Sequence, residues 1–295
     1  MSNIKILSGI DVSRKVYSEL APRIELLKKK NTTPGLAVVL VGENSASKVY
    51  VNSKTKKFKS LDLYSETIFL NKSIKETDLC KIILSLNENP KFHGILLQLP
   101  LPKHLNQKQI LGKISPYKDV DGFHPENAGL LSHGNPRFIP CTPKGIMRIF
   151  KHYNISLNGK HVLVLGRSNI VGRPISLLTS AKNREANATT TLCHSGTENI
   201  ENFTTSADVV ISAIGMPGYL NGDMLKTDSV IIDVGINRIK VDNDKGYSLT
   251  GDFDWDSIKN KVSAATPVPG GVGPMTIAML VENTIEAAEQ MLAIS

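Results

Sequence analysis

The 295-residue chain is 41% hydrophobic and 21% charged, which excludes a disordered or fibrous protein and allows two domains of ordinary size. Its net charge of +8 equals the excess in residues 1–60, where 12 Lys and Arg face 4 Asp and Glu; such a segment suits an anionic partner or solvated helix faces. No apolar run reaches membrane-spanning or signal-peptide length, and Cys80, Cys141 and Cys193 are far apart without a C-x-x-C, so the reading is cytoplasmic, with no membrane contact, disulfide framework or metal.

Residues 10–30 carry an amphipathic helical period. LAVVLVG follows, an unbroken apolar run of buried-strand length, then a basic helix from about Ser45, the strand-like ETIFL, a helix near 76–88, and HGILLQL. This alternation predicts βαβ units and a parallel sheet covered by helices. The passage from QLPLP through DVDGFHPENAGLL to PCTPKG is rich in Pro and Gly and too irregular for one element, so it reads as cleft-lining loops. TPKGIMRIFKHYN predicts a helix entering a second domain, with Thr142 as its cap and Pro143 in its first turn.

From Gly159 the rhythm restarts, with strands in HVLVLG, ATTTLC, ADVVIS, DSVIID and VSAA, and MTIAMLVENTIEAAEQMLA predicts an amphipathic helix. The expected fold is α/β with two βαβ domains. A parallel-sheet substrate domain spans 1–140 and is completed by a C-terminal helix, 275–295, packing back on it. A Rossmann-type NAD(P)-binding domain spans 141–274.

HVLVLGRSNIVGRP places Gly166 where a strand turns and Gly172 where a helix opens. A dinucleotide turn needs a residue without Cβ there and a helix amino terminus aimed at pyrophosphate. The fit is partial, because Ser168 stands where the second glycine of G-x-G-x-x-G belongs, and a plain strand–helix connection accounts for the same residues. The strands that follow end in CHS, SAIGMPG and DVGINR, where α/β sheets bind ligands. Arg167 and Ser195, with no Asp or Glu at the second strand end, favour the ribose phosphate of NADP, with NAD as the other candidate. Arg167 also reads as a surface charge.

In YVNSKTKKFKS, Tyr50 and Lys54 are four apart, so on a helix they emerge from one face. A Tyr-x-x-x-Lys pair occurs in short-chain dehydrogenases, but there the cofactor turn precedes it, whereas here Gly166 follows. The pair therefore belongs to a separate substrate domain. A buried Lys54 loses protonation more easily and moves protons; an exposed one is one more helix lysine.

YVNSK, GILLQLPLP, KDVDGFHPEN, PCTPKG, GRSNIVGRP, DVGINR and TPVPGGVGPMT, in this order over nearly the whole chain, resemble the bifunctional methylenetetrahydrofolate dehydrogenase/cyclohydrolase family. The resemblance implies NADP-dependent oxidation of methylenetetrahydrofolate to the methenyl cation, then hydrolysis to formyltetrahydrofolate. It makes Lys54 catalytic, with Tyr50 positioning the folate, Gln98 tuning the lysine by a hydrogen bond and Asp121 holding the pterin. Gly270 and Gly271 would line the folate and nicotinamide pocket, and Gly166, Arg167, Ser168, Ser195 and Ile236 would contact the cofactor. It further implies a homodimer joined through the cofactor domains, and gives the basic first segment a partner in a polyglutamate tail. The connection AKNREANATTT is longer than the family pattern.

Two rivals explain less. A shikimate-dehydrogenase-like enzyme shares the domain order but leaves DVDGF and PVPGGVGPMT unexplained. A basic nucleic-acid binder would use KKK at 28–30 and KTKKFK at 54–59, where aromatic interleaving is thin, so no nucleic acid is expected.

Overall fold

The computed structural model describes residues 4–242 and 246–294. The chain divides into two units, one of Met1–Lys15 with Thr142–Thr276, the other of Val16–Cys141 with Ile277–Ser295. The short strand β1 (Lys5–Ile6) belongs to the first of these, pairing with Ala264–Ala265. This differs from the expected assignment of residues 1–140 to one domain. Two residues of strand carry no periodic signal, and the backbone partner that fixes them lies far along the chain.

In the substrate unit, β2 (Gly35–Val41) is buried along its whole length and lies between β3 (Tyr64–Leu70) and β4 (Gly94–Leu97), parallel to both. A strand buried on both faces reads as a continuous apolar run, as LAVVLV does, whereas the edge strand β3 is half exposed. Helices Ser45–Ser60 and Glu76–Glu88 follow β2 and β3. The passage expected to be all loop contains two short helices, Gln107–Leu111 and Pro125–Ser132. Helix Val272–Ile294 departs from its amphipathic expectation, since every residue from Ala278 to Ile285 is buried. Two of its buried polar members are partnered: Thr284 Oγ1 donates to Leu280 O at 2.7 Å within the helix, and Asn283 Nδ2 donates to Val120 O at 2.8 Å and Ile139 O at 3.0 Å on distant segments.

The cofactor unit holds β5 (His161–Leu165), β6 (Thr189–Cys193), β7 (Val209–Ser212), β8 (Val230–Asp233), a hairpin of β9 (Asn237–Lys240) and β10 (Tyr247–Thr250), and β11 (Ala264–Ala265). Six strands pair in parallel in the order β1-β11-β8-β7-β5-β6. The strand order reverses at β5, where open α/β sheets bind ligands beyond the carboxyl ends. Helix Cys141–His152 begins one residue before Thr142, whose hydroxyl pairs with that of Thr276 at 3.0 Å instead of capping.

Candidate active site

Asn44 caps helix Ser45–Ser60 by accepting from the Ser47 N–H. Buried positions recur at Ser47, Val51, Lys54 and Phe58, the spacing of one helical face. Lys54 thus occupies a core position and is 5% exposed, while Lys56 and Lys59 face solvent. Its Nζ donates to Gln98 Oε1 at 3.0 Å and lies 5.4 Å from the centroid of the Tyr50 ring. Gln98 stands just past β4, its backbone N–H donating to Val39 O; its Nε2 donates to Leu99 O at 2.8 Å, which leaves the amide oxygen for the lysine.

Burial lowers the pKa of the Lys54 amine, against the opposing pull of Asp121 and then Cys141. Burial raises Asp121, opposed by Lys54 and by a hydrogen bond with Cys141. Withdrawal from water therefore favours the uncharged form of each. The Tyr50 hydroxyl is raised by burial as well, so it remains an O–H donor.

The turn that carries Asp121 is built by its neighbour. The Asp119 carboxylate accepts from Phe123 N–H at 3.2 Å, His124 N–H at 2.8 Å and Asn127 Nδ2 at 2.8 Å, and burial lifts it to about 7. Gly122 has φ +73°, and a Cβ there would lie 2.9 Å from Pro140 N. The sequence patterns do not single out Asp119, Cys141 or Asn283. Two of them lie inside DVDGF and PCTPKG, and only the third lacks a motif.

A cavity of about 510 Å³ opens at the carboxyl ends of β5, β6 and β7, and Gly166, Arg167, Ser168 and Ser195 all line it. Gly166 has φ +104° and its absent Cβ would stand 2.6 Å from Ala213 O; one on Gly172 would stand 1.8 Å from Gly166 O. The two glycines therefore let the chain reverse tightly against the end of β7 and start the next helix close to the strand, at the edge of this cavity. The Ser168 hydroxyl accepts from Val171 N–H at 3.1 Å and Gly172 N–H at 3.4 Å, so its own proton is free to extend the positive helix end toward a phosphate. This bare turn, with an exposed arginine beside it, fits a phosphorylated dinucleotide. The longer connection folds on itself, Asn187 N–H donating to Ala181 O at 2.9 Å, and Ser195 keeps its place beyond β6.

Ile236 lies outside this lining, 47% exposed after β8. Gly270 and Gly271 form a turn ahead of the last helix, with Gly270 O accepting from Gly9 N–H at 2.9 Å and Gly271 N–H donating to Pro267 O at 2.7 Å. The structure thus gathers Tyr50, Lys54, Gln98 and Asp121 in one unit and Gly166, Arg167, Ser168 and Ser195 in the other.

The family model for the tetrahydrofolate dehydrogenase/cyclohydrolase catalytic domain matches residues 7–121, and that for the family's NAD(P)-binding domain matches 140–292. A bifunctional protein FolD of Chloroherpeton thalassium is 48% identical, with 98% of this chain and 99% of the relative covered. Two solved structures cover 98% or more of both chains. One is the Campylobacter jejuni bifunctional enzyme FolD, a methylenetetrahydrofolate dehydrogenase/cyclohydrolase, with TM-score 0.92 and 43% identity. The other is the Trypanosoma brucei methylenetetrahydrofolate dehydrogenase-cyclohydrolase complexed with NADP and an inhibitor, with TM-score 0.93 and 33% identity. A shikimate 5-dehydrogenase of Thermus thermophilus, 15% identical with TM-score 0.52, shares the fold alone.

Proposed function

The chain belongs to the tetrahydrofolate dehydrogenase/cyclohydrolase family, and on that premise we propose how its residues divide the family's two reactions. The protein oxidises 5,10-methylenetetrahydrofolate to the 5,10-methenyl cation with NADP and hydrolyses the cation to 10-formyltetrahydrofolate. The observation that carries the assignment is Lys54, set at an apolar helix position with Gln98 and Asp121 as its polar company.

NADP, when bound, supplies the hydride acceptor. Removing hydride from a carbon between two nitrogens leaves a delocalised cation, so the protein's task in this step is alignment more than acid–base work. Asp121 is assigned to the pterin edge, where two carboxylate oxygens match two neighbouring N–H groups. Tyr50 orients the folate with its ring and hydroxyl. Gly270 and Gly271 are assigned to the substrate through bare backbone.

Hydrolysis needs proton transfer. Water adds to the cationic carbon and the neutral Lys54 amine takes one of its protons; as the C–N bond breaks the ammonium passes that proton to the ring nitrogen, and the amine takes the remaining hydroxyl proton as the formyl C=O forms and releases it to solvent. Gln98 Oε1 accepts from Nζ and so orients the amine's lone pair. Gly166, Arg167, Ser168 and Ser195 are assigned to the cofactor, Arg167 and Ser195 to the ribose phosphate. Ile236, an uncovered apolar side chain, is assigned to a further contact with it.

The basic segment supports a polyglutamylated substrate, and the cofactor unit is assigned the homodimer contact. Cys80, Cys141 and Cys193 form no disulfide, which supports a cytoplasmic setting. The test is spectrophotometric. Methylenetetrahydrofolate with NADP should give a transient methenyl signal that then decays; a signal that forms and persists would remove the hydrolytic half of the assignment. The same assay with mono- and polyglutamylated substrate should show a salt-sensitive preference for the longer tail.

A further inference from the structure

The cofactor unit contains a buried carboxylate cluster that the roles above leave unused. Asp252 is fully buried, and its carboxylate gathers four donors. Oδ2 accepts from the Ser212 hydroxyl and the Ile214 N–H, both at 2.9 Å. Oδ1 accepts from the Met216 N–H at 2.9 Å and the Asn237 amide at 3.1 Å. Ser212 ends β7, Ile214 and Met216 line the cavity beyond it, and Asn237 opens β9 next to Ile236. One side chain thus ties the end of β7 to the segment after β8.

Asp233, the last residue of β8, holds Asp252 in turn. Its Oδ1 accepts from the Asp252 and Gly235 N–H groups, each at 3.0 Å, and its Oδ2 from Phe253 N–H at 3.1 Å. A Cβ on Gly235 would lie 2.3 Å from Asp252 Oδ1, so the carboxylate rests against bare backbone with no room to shift. The turn it fixes abuts the phosphate turn, because Ala213 O is the atom that excludes a side chain at Gly166.

We propose that Asp252 is the positioning residue of the cofactor cavity: by holding the Ile214 and Met216 backbone it sets the wall against which the dinucleotide is bound. The inference rests on the assignment of that cavity to NADP. A carboxylate is required because four donors converge on it. An amide has one acceptor oxygen and would turn N–H groups toward donors, so at least two of the four would lose their partner in a buried site.

The test compares wild type with Asp252→Asn and Ser212→Ala, using NADP titration calorimetry, KM for both substrates, hydrolysis of supplied methenyltetrahydrofolate, and thermal unfolding. Asp252→Asn should weaken NADP about tenfold or more and raise its KM well beyond that of the folate, with hydrolysis preserved as a sign of a folded substrate unit. An Asp252→Asn protein that unfolds like wild type and binds NADP equally well would overturn the proposal. Should that variant not fold, Ser212→Ala decides, since it keeps the carboxylate and removes one donor. A loss of about threefold supports the proposal and unchanged affinity overturns it. Wild-type protein that does not bind NADP would instead overturn the cofactor assignment itself.

Discussion

Lys54 is a basic residue at a helix position its neighbours make apolar, and its chemistry follows from that conflict. Val51 and Phe58 are buried on either side of it, so in the folded helix the amine lies on the inner face, whereas the sequence alone also allows an exposed helix lysine. Which polar groups meet it was not legible, because Gln98 is 44 residues away along the chain and Asp121 is farther still. Replacing Lys54 by Met keeps the volume and removes the amine. Methenyl hydrolysis should fall by about a hundredfold or more, while NADP binding persists; retained hydrolysis would refute the role. The pH dependence has a definite sign. In the proposed role the amine acts when unprotonated, and burial lowers its pKa, so hydrolysis should rise with pH along a limb lying below the ordinary lysine range. The pH–rate profile of hydrolysis measures it.

Among the elements, the last helix carries more of the substrate unit than its amphipathic appearance implied. Asn283 Nδ2 bridges Val120 O and Ile139 O, pinning the chain next to Asp121 and two residues before Cys141. Asn283→Ala removes the amide donor from the part-buried Ile139 carbonyl and leaves the Val120 carbonyl with only the weaker Cys141 thiol at 3.4 Å, at a cost of roughly 1–3 kcal/mol. Thermal unfolding should register this as a lower Tm, and KM for the folate should rise because the Asp121 turn loosens. A variant with an unchanged Tm would show that the bridge contributes nothing. Strands such as β2 and β5 were legible as apolar runs bounded by glycine. The β9–β10 hairpin was not, since NRIK and YSLT have no apolar period, and the Arg238 guanidinium lies 4.6 Å from the Tyr247 ring centroid across the pair.

At the level of the whole molecule, the proposed reading of cofactor choice rests on two strand ends that the sheet order makes neighbours. Arg167 follows β5 and Ser195 follows β6, and the pairing of these strands brings both to one cavity. Arg167→Ala should weaken NADP about tenfold or more relative to NAD, measured as the change in the ratio of their KM values; equal losses would mean that it does not read the phosphate. Periodicity and glycine placement are local properties, so the α/β class, the chain order of substrate and cofactor segments and the residue types on offer can be read from the chain alone. That Lys54 is dry, that the Asp119 carboxylate builds the turn carrying Asp121 and that Asp252 collects four donors emerges from packing. Burial and hydrogen-bond partnership depend on which distant segments the packed core brings together, and no local pattern encodes them.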